Sequence, residues 1–260
     1  MSRKAERRAI DASVKRIIIG MNECLDGKLS GFWLYGSAVM DDFRPGWSDI
    51  DFIAFAHGAI GEAQAERLLE LRQRLVRQYS DPLCRLFEGV TVSLDEFRQG
   101  AFSRLVYWGT SGQRVMNVFE LDPFARFELV KYGRPVLGDG DRGLFTPPER
   151  EELTLAVKRH LEGIRRCARQ TDESLYSCGW LLDIARCIYT IRFNDVISKT
   201  RAGEWALSEH IFPNEEPLVR TLEIRRDPLA FSGPELREWL AGLGPTVQEY
   251  ADVLEKELVF

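Results

Sequence analysis

The sequence predicts an α/β (α+β) domain followed by an all-α helical domain. Two short apolar runs bounded by turn residues, at 32–36 and 49–55, are typical of buried strands. From residue 148 onward the apolar residues recur with helical spacing instead. A chain of 260 residues is also at the size where a single core begins to divide into two. We therefore expect domains at 1–147 and 148–260, separated by the Thr-Pro-Pro at 146–148.

The first domain is expected to contain both helices and strands. Apolar residues at helical spacing predict a helix over 4–25, and glycines and polar residues then lead into the first strand. The stretch 62–79 is a strongly amphipathic helix, whose charges we interpret as a solvated face. A third strand is expected within 84–93, a helix start at 93–97 and a short helix over 121–132.

The second domain is expected to consist of helices alone. The stretch 174–194 is apolar almost all round and is therefore the central helix. Its only internal charges before the last turn are Asp183 and Arg186, three residues apart and so on one face. Further helices are expected over 149–169, 216–226 and 234–258.

Composition and charge exclude several classes of protein. The net charge of −5 falls on residues 151–260, which argues against a nucleic-acid partner and is compatible with a cationic one. Five cysteines without a C-x-x-C pair indicate reduced thiols, and three widely separated histidines make a zinc site unlikely. The apolar runs are too short to span a membrane and no secretory signal is recognisable, so we expect a cytoplasmic protein.

The stretch 32–56 carries the first candidate site. Asp49 and Asp51 enter the second strand and point to the same side, because side chains alternate along a strand. Two carboxylates on one face are costly to bury unless a cation lies between them, and a hard ion such as Mg²⁺ suits their oxygens. Upstream, Gly36 permits a tight turn, and the Ser37 hydroxyl can donate to phosphate oxygens. Together these residues indicate metal-assisted transfer of a phosphorus centre.

Taken singly, Gly-Ser is an ordinary turn and Asp-x-Asp an ordinary solvated strand edge. Joined as LYGS and, after a spacer, SDIDFI, they resemble the nucleotidyltransferase superfamily. The resemblance implies a mixed sheet, with Asp49 and Asp51 as catalytic ligands of Mg²⁺. It further implies that Gly36, Ser37 and Ser48 position the triphosphate of a nucleotide such as ATP.

Glu88 is the single carboxylate of the third strand. Alone it is typical of an exposed strand edge, but nucleotidyl transfer requires a further metal ligand or a base near the attacking hydroxyl. Its setting, Phe87-Glu88-Gly89, resembles the strand that supplies the catalytic carboxylate in the antibiotic-modifying branch of the superfamily. Asp95 and Glu96 are competitors for this role, although they are better explained as a helix start.

The second domain carries a second resemblance. The segment containing SKTRAGEWAL resembles the helical C-terminal domain of aminoglycoside (3'') and (9) adenylyltransferases. That resemblance implies that Arg186 and Lys199 bind nucleotide phosphates, in an active site between the two domains. Asp183, together with Glu88, would receive ammonium groups of the substrate; the alternative for Asp183 is a structural ion pair with Arg186.

Trp108 is a further candidate, in the stretch 107–112. If that stretch is a loop, Trp108 can stack on a sugar or base; the alternative is packing in the core.

The expected function is therefore transfer of AMP from ATP, with Mg²⁺, to a hydroxyl of a small cationic substrate of the aminoglycoside type by a monomeric enzyme. Three alternatives remain open. In the first, the same reaction acts on a protein side chain or another metabolite. In the second, the chain is a nucleotide-binding regulator of antitoxin type with a degenerate site. In the third, the chain extends RNA or DNA, which the lack of a basic stripe disfavours.

Overall fold

A computed structural model describes residues 3–79, 81–109 and 112–259, with side chains from residue 7 onward. The chain forms two compact units, and each contains more than one segment of the sequence. The first comprises Met1–Asp41, Asp49–Leu121 and Glu128–Thr146, and the second comprises Asp42–Ser48, Asp122–Phe127 and Pro147–Phe260. Two short segments that the sequence assigned to the first domain therefore pack within the second unit.

The first unit is built on a mixed sheet, as predicted. Its strands in the described residues have the order β5-β4-β3-β2-β1-β6. Neighbouring strands are antiparallel except β2 and β3, which are parallel. The strands are β1 Leu29–Tyr35, β2 Ile50–Ala56, β3 Phe87–Ser93, β4 Leu105–Gly109, β5 Gly112–Met116 and β6 Arg134–Leu137.

Helices α1 Arg3–Cys24 and α2 Glu62–Tyr79 belong to the first unit, as does α3 Leu94–Gln99. Helix α2 supplies the crossover that a parallel β2–β3 pair requires. Helix α4 Pro123–Lys131 begins in the second unit and ends in the first. The bounds of α2 agree with the prediction, but its charges are not all solvated, because Arg72 is 8% exposed.

The second unit is helical, as predicted. Its remaining helices are α5 Arg150–Cys167, α6 Tyr176–Phe193, α7 Lys199–Ser208, α8 Glu216–Arg226, α9 Pro234–Ala241 and α10 Gly244–Glu257. Helix α6 is central: Leu181, Leu182, Ile184, Ala185 and Ile188 are fully buried in the core of the unit. The helix expected over 234–258 is divided instead at Gly242 and Leu243, because the proline in the first turn of α10 cannot continue a helix.

Residues 107–109 and 112 lie in strands and not in the loop that the sequence suggested. Strand β4 continues to Gly109 and β5 begins at Gly112, with these two glycines opposite each other in the ladder. Thr110 and Ser111 lie outside the described residues. Among the described helices, none has the length and apolar character needed to cross a bilayer.

Candidate active site

Two of the predicted carboxylates, those of Asp51 and Glu88, lie on one face of the sheet. Asp51 lies opposite Glu88 of the parallel neighbour β3 and opposite Tyr35 of the antiparallel neighbour β1. Residues at one register position of adjacent strands point to the same face, so the carboxylates of Asp51 and Glu88 share that face. Asp49, two residues before Asp51 at the entrance of β2, is expected on the same side. All three are partly exposed, as a reactive carboxylate must be.

The Gly-Ser bend is directed at Asp51. Strand β1 ends in a short 3-10 helix, Gly36–Ala38, and Gly36 has a left-handed φ of +66°. A Cβ at Gly36 would lie 2.1 Å from Oδ2 of Asp51. A side chain at this position would therefore displace the carboxylate, which explains why the pattern has glycine here.

A second glycine is required next to Glu88. Gly89 has a φ of +157°, and a Cβ there would lie 1.9 Å from the carbonyl oxygen of Phe52 on β2. The close approach of the β3 backbone to β2 thus excludes any larger residue. Since Gly89 directly follows Glu88, this contact also fixes where β3 presents the carboxylate.

The hydroxyl groups of Ser37 and Ser48 each form a hydrogen bond with a backbone group. Ser37 Oγ donates to the carbonyl oxygen of Asp49 over 3.2 Å, which joins the bend to the entrance of β2. Ser48 Oγ accepts from the N–H of Arg44 over 3.0 Å and closes a turn within the segment Asp42–Ser48. Their proposed contacts with a triphosphate stay predictions.

Glu88 has a partner that the sequence did not suggest. The hydroxyl of Tyr107, on β4, donates to Oε1 of Glu88 over 2.5 Å. Burial, and then the hydrogen bond and charge of Glu88, raise the pKa of Tyr107, so the phenol keeps its proton and remains a donor. The guanidinium of Arg114 lies 4.5 Å from the centre of the Tyr107 ring. Tyr107 thereby orients one oxygen of the Glu88 carboxylate.

Arg72 contributes a buried positive charge to the first unit. It donates to the carbonyl oxygens of Phe87 and Gly109, each over 3.1 Å. Burial lowers its pKa, and the negative charges of Glu88 and Asp49 oppose that effect. The acidic face is therefore partly balanced from within the fold. Burial also raises the pKa of Tyr35, reinforced by the nearby charge of Asp51, so Tyr35 stays neutral.

The carboxylates fit a magnesium ion held partly by substrate. Within the described residues no three His, Cys, Asp or Glu side chains are grouped as a complete metal site. Mg²⁺, however, is commonly bound by one or two carboxylates together with phosphate oxygens of the substrate. Asp49 and Asp51 supply oxygen donors of the required kind, and the missing side chain at Gly36 leaves room for the Asp51 carboxylate itself.

In the second unit, Asp183 joins the two predicted phosphate ligands. Its carboxylate accepts from Nζ of Lys199 over 2.9 and 3.1 Å and lies 3.5 Å from Nη2 of Arg186. Burial alone would raise the pKa of Asp183, but the charges of Lys199 and Arg186 outweigh it and lower the pKa. The predicted Asp183–Arg186 pair is confirmed, whereas the role of Asp183 as a receiver of ammonium groups stays a prediction. Its charge is already matched by protein cations.

Two aromatic groups complete this charged cluster. The ring of Phe124 lies 5.1 Å from the Arg186 guanidinium and 5.2 Å from the ring of His160 on α5. Burial lowers the pKa of His160, and Asp183 opposes this while Arg186 assists it. His160 is therefore neutral at neutral pH and adds no further positive charge.

Trp108 is a core residue, and the expectation that it stacks on a substrate is wrong. Its side chain has no exposed surface. The ring packs edge-on against Phe52 at 5.6 Å, and Nε1 donates to the carbonyl oxygen of Leu68 over 3.1 Å. A fully enclosed indole cannot stack on a ligand, and the alternative of core packing holds.

The sequence analysis did not identify Arg72 or Tyr107 as residues near the acidic face. Arg72 falls at helical spacing with the buried residues Ala65, Leu68 and Leu75, so its position on the apolar face of α2 was readable. Tyr107 had no such signal, because its approach to Glu88 depends on the pairing of β3 with β4.

One segment of the chain matches a known family model. Residues 143–224 match the family model described as "Aminoglycoside adenylyltransferase, C-terminal domain", a range that includes Asp183, Arg186 and Lys199. The match covers 82 of the 260 residues, all of them in or next to the helical unit.

A solved structure supports the same fold. The spectinomycin adenyltransferase AAD(9) from Enterococcus faecialis, solved with ATP and spectinomycin, is similar with a TM-score of 0.63 and 16% sequence identity. The similarity covers 94% of this chain and 98% of that one. No curated protein sequence matches the chain.

Proposed function

We propose that the protein transfers AMP from ATP, with Mg²⁺, to a hydroxyl group of an aminoglycoside-type antibiotic and releases pyrophosphate. The observation that carries this proposal is the pairing of Asp51 with Glu88 on adjacent parallel strands, beside a bend that only glycine can form. Adenylylation requires such a set, with carboxylates for the metal and a carboxylate for the proton.

In the proposed reaction the substrate hydroxyl oxygen forms a bond to the α-phosphorus of ATP while the bond from that phosphorus to pyrophosphate breaks. Glu88 accepts the hydroxyl proton, with Tyr107 holding one of its oxygens. Asp49 and Asp51 hold Mg²⁺, which, when bound, neutralises phosphate charge and orients the triphosphate. Ser37 and Ser48 are proposed to position the phosphates, as the Gly-Ser and Ser-Asp pattern of the sequence implies.

Lys199 and Arg186 are proposed to bind phosphate oxygens of the nucleotide. Cations placed at the leaving pyrophosphate stabilise the negative charge that develops there. Asp183 holds both cations through its carboxylate, which keeps two long side chains together before a ligand arrives. We assign Asp183 chiefly this positioning role, because its charge is satisfied within the protein.

The acceptor is proposed to be spectinomycin or streptomycin. The structurally similar AAD(9) was solved with ATP and spectinomycin, and the second half of this chain carries the net negative charge that suits a cationic drug. We further propose that the enzyme acts as a monomer in the cytoplasm and has no nucleic-acid substrate.

The test is incubation of the purified chain with ATP, Mg²⁺ and each drug, followed by pyrophosphate release and the mass of the drug. We expect drug-dependent pyrophosphate and a mass gain of one AMP. Asp49→Asn, Asp51→Asn and Glu88→Gln should abolish both, whereas Glu66→Gln, an exposed carboxylate of α2, should remain active.

Three other outcomes are informative. Labelling of a protein or another metabolite with no drug modified would make the drug proposal wrong. Mg²⁺-dependent ATP binding without turnover on any acceptor would indicate a nucleotide-binding regulator. Full activity of Glu88→Gln would exclude Glu88 as the proton acceptor.

A further inference from the structure

A buried charged network links the segment Asp42–Ser48 to helices α7 and α8 of the second unit. Asp42 and Arg225 are each 2% exposed, and Thr200 is 7% exposed. Arg225 Nη2 donates to Oδ2 of Asp42 over 2.8 Å, and its Nε donates to Oγ1 of Thr200 over 3.0 Å. Thr200 in turn donates to Asp42 from its hydroxyl over 2.5 Å and from its backbone N–H over 3.3 Å. We call Asp42, Thr200 and Arg225 the Asp42 network.

Every charge in the Asp42 network is satisfied by the other members and by two neighbours. Arg44 Nη2 lies 3.3 Å from the second carboxylate oxygen of Asp42, and the Arg225 guanidinium lies 5.2 Å from the centre of the Trp47 ring. Removing one member of such a group leaves a buried charge without a partner, which is strongly unfavourable. Other arrangements of these side chains would leave a buried charge unpaired, so the network can hold the backbone segments attached to it in place.

The Asp42 network adjoins one residue of the proposed reaction, Lys199. Thr200 directly follows Lys199, the first residue of α7, and Asp42 binds the backbone N–H of that first turn from outside the helix. A carboxylate at a helix N-terminus is favourable, because the free N–H groups there carry positive partial charge. Along the chain, Asp42 lies between Ser37 and Asp49, in the segment that separates the Gly-Ser bend from the aspartates.

We propose that Arg225 is a positioning residue for nucleotide binding: through Asp42 and Thr200 it fixes the first turn of α7 and thereby the origin of the Lys199 side chain. This inference rests on the proposed function of Lys199. Arg225 lies one residue beyond the segment that matches the family model, and Asp42 lies in the other half of the chain. Misplacement of a phosphate ligand by about 1 Å suffices to lower catalytic efficiency about 100-fold.

The experiment measures ATP affinity and steady-state kinetics in a double-mutant cycle. Thr200→Val is the mild variant, because it leaves the Asp42–Arg225 pair in place, and Arg225→Lys keeps the charge but not the forked geometry. Each is made alone and with Lys199→Ala. Arg165→Met is the matched control, since Arg165 also pairs with two carboxylates in the same unit, but those belong to α10.

We expect both network variants to raise the KM and Kd for ATP about tenfold with a smaller change in kcat, and to have less than a twofold effect on Kd once Lys199 is alanine. Arg165→Met should leave ATP affinity unchanged. A network effect that is equally large in the Lys199→Ala background would overturn the proposal, as would unchanged ATP affinity in a folded Thr200→Val protein.

Failure of the proposed function gives a different result. If the native chain binds ATP but transfers AMP to no acceptor, the proposed reaction is wrong, while ATP affinity still measures the coupling between Thr200 and Lys199. If the native chain binds no ATP, both are wrong.

Discussion

Gly36→Ala tests whether the bend and Asp51 act together. The substitution adds only a methyl group, but that group would lie 2.1 Å from Oδ2 of Asp51, where ordinary contact begins at 3.4 Å. The carboxylate must therefore move by more than 1 Å, or rotate away from the face it shares with Glu88. If Asp51 holds Mg²⁺ as proposed, a displacement of that size predicts a loss of about 100-fold in kcat/KM.

The same substitution also has a backbone cost that must be separated from this effect. An alanine in the left-handed region is less stable than glycine by about 1–2 kcal/mol. Gly58→Ala is the matched control, because Gly58 has a φ of +71° and no heavy atom within 4 Å of its Cβ position. Both variants should lose similar unfolding free energy in urea, and only Gly36→Ala should lose activity.

The assay is drug-dependent pyrophosphate release at saturating and limiting Mg²⁺, with urea unfolding of both variants alongside. We expect Gly36→Ala to require more Mg²⁺ for half-maximal rate than Gly58→Ala. Equal activity of the two variants would refute the argument that Gly36 makes room for the working position of Asp51.

The remaining predictions concern three buried or partly buried side chains that lie near the charged residues. Tyr107→Phe removes the donor to Glu88, and since such hydrogen bonds contribute about 1.5–3 kcal/mol, kcat should fall about tenfold or more in steady-state kinetics, with KM for ATP little changed. Arg72→Met leaves two buried carbonyl oxygens without their donor and should lower the unfolding free energy by about 2 kcal/mol in urea titrations. Burial lowers the pKa of His160 below its ordinary 6.5, so the stability contributed by the neutral ring is present above that pH and is lost as the pH falls through the lowered pKa. Between about pH 7 and about pH 5, His160→Gln should therefore show a flatter decline of the urea midpoint than the native chain.

Local pattern was sufficient to predict the two parts of the fold and the acidic face. The spacing of Asp49 and Asp51, and the short strand containing Glu88, depend on residues that are near one another in sequence. The parallel pairing that sets Asp51 beside Glu88 then follows once α2 is recognised as a crossover helix. These features are local, and so they are readable from one sequence.

The rest depends on pairing between distant segments. Trp108 has the same residue type whether it lies in a loop or a core, and only the extent of β4 and β5 decides between these positions. Asp42 and Arg225 are separated by 183 positions, and nothing in the sequence around either residue indicates the other.

The break in the helix expected over 234–258 could, in contrast, have been predicted from local sequence, because Gly-Leu-Gly-Pro at 242–245 is a strong helix terminator.

The membership of Asp42–Ser48 in the second unit constrains how this protein could be recombined with its relatives. A single crossover near residue 147 would take Arg225 and Thr200 from one parent and their buried carboxylate partner from the other. Chimeras joined there should fold poorly unless the segment 42–48 is exchanged as well, and a helical part expressed from residue 148 alone would carry an interior cation without its counter-charge.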